Sequence, residues 1–174
     1  MKFNLNNPAF LQAGGNSLFS MRMTTSIENQ EFFELSANGV VYIDSIKNGV
    51  KVRKTLVSPD AERVTIENDA DTEIVVWGAV TNLVASDDGN TGLTSLDVSK
   101  NTALTFLGCS GCTGLTSLDV SKNTALIELV CSGCTGLTSL DVSKSIALTF
   151  LECVDCLNFR PINGELDSAA SGRH

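Results

Sequence analysis

The chain has 174 residues, with 12 Lys and Arg against 20 Asp and Glu, for a net charge of −8. A pI near 4.5 argues against nucleic acid and against an anionic membrane surface, because both require clustered cations. Hydrophobic residues at 43% and charged residues at 18% describe a globular chain with a real core, neither disordered nor a coiled coil.

Met1 to Pro8 contains no apolar h-region, so a secretory signal is not expected unless the sequence has been trimmed. The longest apolar stretch, Ile74 to Val80, is broken by Gly78 and is too short to span a bilayer. The expectation is a protein without membrane insertion, cytoplasmic or carried in a particle rather than secreted by the general route. Gly14-Gly15 lacks a phosphate-loop pattern.

Residues 1–78 show strand-like runs at Leu18–Thr25, Gln30–Ser36, Val40–Ile46, Val50–Leu56, Arg63–Ile66 and Glu73–Trp77. Turn signals separate them at Asn38-Gly39, Asn48-Gly49, Ser58-Pro59-Asp60 and Asn68-Asp69. These predict a small antiparallel β domain, either a cap on the rest of the chain or a separate sandwich, with Trp77 near the junction. Tyr42 and Trp77 are the only tyrosine and tryptophan, so no stacked aromatic platform for sugars or single-stranded nucleic acid is expected.

Residues 79–162 repeat. Val80, Leu83 and Ala85 read as a degenerate first half-unit, followed by a loop at Ser86–Asn90. Three near-identical 22-residue copies then begin at Thr91, Thr113 and Thr135. Each splits into two 11-residue halves of the form L-x-x-L-x-[VC]-S-x-[NC]-T-x, with drift in the third copy. One leucine row runs Leu93, Leu104, Leu115, Leu126, Leu137, Leu148 and continues at Phe159. A second runs Leu96, Leu107, Leu118, Leu129, Leu140, Leu151 and continues at Ile162. Valine alternates with cysteine at Val98, Cys109, Val120, Cys131, Val142 and Cys153. Asparagine or serine alternates with cysteine at Asn101, Cys112, Asn123, Cys134, Ser145 and Cys156.

Leu-x-Val and Leu-x-Cys place two side chains on one face of a short strand. A unit this short cannot bury its own apolar row, whereas stacked units bury every row at once, with strands about 4.8 Å apart. An interior Asn can bond turn backbone that would otherwise go unpaired. The prediction is a short solenoid with little or no helix, closing at Pro161 and followed by a flexible tail at 163–174.

These repeats resemble the leucine-rich repeat family, in the short form found in bacterial proteins, from Val80 to about Ile162. Two departures stand out: the convex side has no helical segment, and cysteine fills half of the asparagine positions. The resemblance implies a protein-recognition scaffold, often placed at cell surfaces for adhesion, and no chemistry.

Chemistry is weighed residue by residue. His174 is the only histidine, which excludes Ser-His-Asp or Cys-His catalysis and a histidine-rich metal centre. The pairs Cys109/Cys112, Cys131/Cys134 and Cys153/Cys156 have metal or redox spacing, but the 11-residue register makes them small buried hydrophobes stacked in ladders. Free thiols are expected, with a metal or disulfides as the alternative. Asp97, Asp119 and Asp141 form an outward row followed by Lys100, Lys122 and Lys144, a solvated face rather than a calcium ladder. A regular ladder also lacks the cleft that paired glycosidase carboxylates need.

The cysteine strands carry Phe106, Ile127, Glu128, Val130 and Phe150, where the opposite strands carry Thr94, Ser95, Ser117 and Ser139. An apolar group of this kind marks a contact site, either for a partner chain or for the first part of this chain. The expected function is a non-enzymatic protein-interaction module without cofactor, bound to another protein or to itself. The alternative is a structural subunit of a larger assembly, such as a phage virion or an injection apparatus, with the solenoid as a projecting binder.

Overall fold

A computed structural model describes residues 20–28, 31–57, 59–85 and 92–156, with backbone only at 31–33. The loop Ser86–Asn90, the half-unit Phe159–Ile162, the tail 163–174, Gly14-Gly15 and His174 lie outside the described residues. The described chain is mainly β and contains no helix. In chain order the strands are β1 (Ser20–Thr25), β2 (Glu31–Ala37), β3 (Val40–Lys47), β4 (Val50–Val57), β5 (Glu62–Thr65), β6 (Glu73–Trp77) and β7 (Val80–Val84). The repeats supply β8 (Leu93–Asp97), β9 (Phe106–Gly108), β10 (Leu118–Asp119), β11 (Glu128–Val130), β12 (Leu140–Asp141) and β13 (Phe150–Glu152).

Two large sheets organise them. The first has the order β4-β3-β6-β1-β8, all antiparallel. The second has the order β13-β11-β9-β7-β2-β5, with β7, β9, β11 and β13 parallel and β2 antiparallel to β7. A short parallel pair, β10-β12, matches Leu118 to Leu140 and Asp119 to Asp141. Strand pairing therefore runs across residue 78 in both large sheets: β8 adds to β1, and β7 adds to β2.

Local chemistry explains the corners. Asn48 and Gly49 both have positive φ, 52° and 70°, and close the β3–β4 hairpin as the mirror-image turn that Asn-Gly favours. Asp69 accepts the N–H of Asn48 at 2.9 Å and of Gly49 at 3.0 Å, which holds that turn. Asn38-Gly39 does a different job, because it passes the chain from β2 in the second sheet to β3 in the first. Gly78, at φ +139°, sends the chain back from β6 to β7, and a Cβ there would lie 2.9 Å from the carbonyl of Val40.

One continuous core fills the space between the sheets. Met21, Met23, Ile43, Ile74 and Val76 meet Leu35, Val64, Val80 and Leu83, and the cluster continues through both leucine rows to Leu137 and Leu140. Each fully buried leucine contributes roughly 1.5–3 kcal/mol relative to exposure. In the last unit Val142, Leu148, Leu151 and Cys156 are only partly buried.

Candidate interaction face and sulfur column

The register of the second sheet fixes which side chains share its outer surface. One outward row reads Ser36, Asn82, Phe106, Glu128, Phe150. The next reads Arg63, Glu34, Val84, Gly108, Val130, Glu152. Between them the leucines Leu35, Leu83, Leu107, Leu129 and Leu151 point the other way, into the core. Period-2 alternation across in-register strands produces this division.

The structure thus brings Phe106, Glu128 and Phe150 into one row and sets Val130 beside them. Phe150 is 45% exposed and Ile127, directly before β11, 43%. Phe106 is half-buried, with its ring over Gly108, where a Cβ would lie 3.3 Å from the ring. Ile127 occupies the position of Thr105 and Thr149, whose hydroxyls bond backbone at Thr81 and Ile127. Among the described residues, the first part of the chain extends this sheet beyond β7 through β2 and β5. Beside Phe106 a cavity of about 280 Å³ is lined by Glu34, Ser36, Asp60, Asn82 and Val84, so carboxylates flank the apolar row. The last unit adds Ile146, 87% exposed, and Val154, in place of Thr124 and Ser132 one unit earlier.

The asparagine and cysteine rows share a task. Asn101 Nδ2 donates to the carbonyl of Val80, and Asn123 Nδ2 donates to the carbonyls of Val98 and Asn101. The thiols of Cys112 and Cys134 donate to the carbonyls of Ala85 and Cys109 in the same way, and Cys156 Sγ lies 3.1 Å from that of Cys131. Burial pushes the thiols of Cys112 and Cys131 up to about 12. The neighbouring Cys134 thiol, followed by burial, raises Cys109 well above its ordinary range. These thiols are held protonated, which removes them as nucleophiles at neutral pH.

The third pair corrects the expectation of free thiols throughout. Cys109, Cys112, Cys131 and Cys134 are free and buried, whereas Cys153 and Cys156 are joined as a disulfide. All three pairs have the same spacing, so sequence alone does not single one out. The third pair differs physically by lying in the last, less buried unit.

The carboxylate row is committed to local turns. Asp97, Asp119 and Asp141 each accept the N–H of the serine two residues on, at 2.9, 2.8 and 2.8 Å. Bonds from Ser121 and Ser143 hold the Asp119 and Asp141 carboxyls below the usual range.

Sequence reasoning missed a cluster on the outer face of the first sheet. Tyr42 and Trp77, read as isolated aromatics, stand opposite each other in register on β3 and β6. Nearly buried Asp44 accepts Arg53 at 2.5 and 2.6 Å, Lys51 at 2.8 Å and Trp77 Nε1 at 3.0 Å. The Arg53 guanidinium also lies 5.4 Å above the Tyr42 ring. Burial opposes ionisation of Asp44, and the bonds from Arg53, Lys51 and Trp77 outweigh it, leaving the carboxyl below its ordinary value. Only strand register assembles these residues, so no spacing rule reveals them.

Comparison with protein-family models, with curated protein sequences and with solved structures finds no match to this chain.

Proposed function

We propose that this chain is a non-enzymatic protein-interaction module: a short solenoid resembling bacterial leucine-rich repeat proteins, working in recognition or adhesion. Its contact surface is the outer face of the second sheet. The observation that carries this reading is the in-register row Phe106, Glu128, Phe150, with Ile127 and Val130 beside it. An exposed Phe150 and a half-buried Phe106 on one sheet face, rimmed by charge, match the pattern of an interface core and its polar rim. Parallel strands offset by one repeat support the solenoid, since each unit lays Leu107, Leu129 and Leu151 over the same point of its neighbour.

The test is affinity capture with the folded chain and with F106D/F150D, followed by binding measurements on each purified partner. Loss of about 30- to 100-fold in affinity, on the order of 2–3 kcal/mol, supports the reading. Unchanged affinity with unchanged circular dichroism overturns it.

A second reading rests on Ile146, Phe150 and Val154, each of which exposes apolar surface in the last unit. Such a patch suits permanent burial in a larger structural assembly. Co-sedimentation of the chain with particles from its source, lost in I146D/V154D, distinguishes that role from free recognition.

A further inference from the structure

We propose that, in the reduced protein, Cys131, Cys153 and Cys156 form a three-sulfur site for the soft d10 cation Cu(I). The three Sγ atoms lie within 4.8 Å of one another and come from two successive units. A metal–sulfur bond of about 2.3 Å sets the sulfurs of a trigonal site about 4 Å apart, within reach of small χ1 adjustments. Thiolates without imidazole or hard oxygen donors select soft ions. Cu(I) is satisfied by three sulfurs, whereas Zn(II) takes a fourth ligand. The Glu152 carboxylate, whose charge reaches Cys131, is already engaged by Ser132 Oγ at 2.9 Å.

Position separates Cys153 and Cys156, in the last unit, from the rest of the column. Cys109, Cys112, Cys131 and Cys134 are fully buried, while Cys156 is half-buried and Cys153 lies at the margin of burial. An ion therefore reaches the column at Cys153 and Cys156, and Cys131 is the buried sulfur that lies within 4.8 Å of both. The Cys153–Cys156 disulfide is the competing oxidised state. A phosphine reductant breaks that S–S bond with two electrons and becomes the phosphine oxide, and the water that gives it oxygen supplies the two protons that leave two thiols. Cu(I) then displaces thiol protons to solvent as the sulfur–copper bonds form. Even in the disulfide, Cys156 Sγ lies 3.1 Å from the carbonyl of Cys131, as the free Cys134 Sγ lies 3.0 Å from that of Cys109 one unit earlier. Reduction therefore leaves the backbone of the unit in place.

The experiment titrates the phosphine-reduced, anaerobic full chain with Cu(I) against the chelator bicinchoninate. C153V/C156N inserts the residues that the alternate half-units carry at the same register, Val120 and Asn123, so the fold is retained. C109V/C112N makes the same change one step away from the trio. The native chain and C109V/C112N are expected to withhold one Cu(I) per chain with similar affinity, and C153V/C156N to lose about 100-fold or more. If C153V/C156N does not fold, C131V reads the same loss from the neighbouring unit. No competition by the native chain, full retention by C153V/C156N or C131V, or equal loss in C109V/C112N each overturns the site.

Discussion

Asn123 and Cys134 do the same work eleven residues apart: Asn123 Nδ2 donates to the carbonyl of Val98 at 3.0 Å, and Cys134 Sγ to that of Cys109 at 3.0 Å. Asn123 also reaches the carbonyl of Asn101 at 2.8 Å, a second bond that the thiol cannot copy. Truncating each side chain should expose this difference. Asn123→Ala leaves two buried carbonyls without that donor and should cost about 2–4 kcal/mol. Cys134→Ala loses one weak S–H bond and a small sulfur volume, and should cost about 1–2 kcal/mol. Chemical denaturation of both variants checks the order; a Cys134→Ala loss equal to that of Asn123→Ala contradicts it.

Ser145 stands in the asparagine row but is too short for its bond, and its buried Oγ has no partner. Ser145→Asn should restore the donor that Asn101 and Asn123 supply and raise stability by about 1 kcal/mol. Thermal denaturation reads this as a rise in Tm; a lower Tm means the third unit no longer has room for the amide.

The turn between paired cysteines uses the left-handed region in every copy: Gly111 at φ +74°, Gly133 at +72° and Asp155 at +60°. A Cβ at Gly133 meets nothing closer than 3.5 Å, so backbone strain alone opposes a side chain there. Gly133→Ala should cost about 1–2 kcal/mol, and Asp155→Gly should stabilise by about 0.5–1 kcal/mol. A destabilised Asp155→Gly contradicts this.

Much of the fold was legible in the sequence, and the limits have physical causes. An 11-residue period names the buried leucines, because identical units must bury identical positions. It also places Phe106 and Phe150 on one surface row. Period-2 alternation assigns faces but not neighbours, so the joining of β8 to β1 and of β7 to β2 was not visible. The same limit hid the pairing of Tyr42 with Trp77. Identical Cys-x-x-Cys spacing likewise conceals that only Cys153 and Cys156, in the less buried last unit, bond.

Stability should fall at both ends of the pH scale. Asp44, Asp119 and Asp141 have folded pKa values below their unfolded ones, so their contribution is present above about pH 4 and is lost as pH falls further. Cys112 and Cys131 are raised to about 12, so their contribution is present below about pH 9 and is lost as pH rises from there towards 12. Denaturation midpoints across pH should show both limbs, and C112N should flatten the alkaline one. An alkaline limb unchanged by C112N assigns it elsewhere.

The most direct test of the interaction face is site-specific photo-crosslinking in the source cells. A benzophenone side chain replaces Phe150 in one chain and Ser117, exposed on the opposite strands, in another. The account predicts a discrete cross-linked protein from position 150 and none from position 117. Cross-links from 117 alone would place the contact on the Ser-rich face and contradict it.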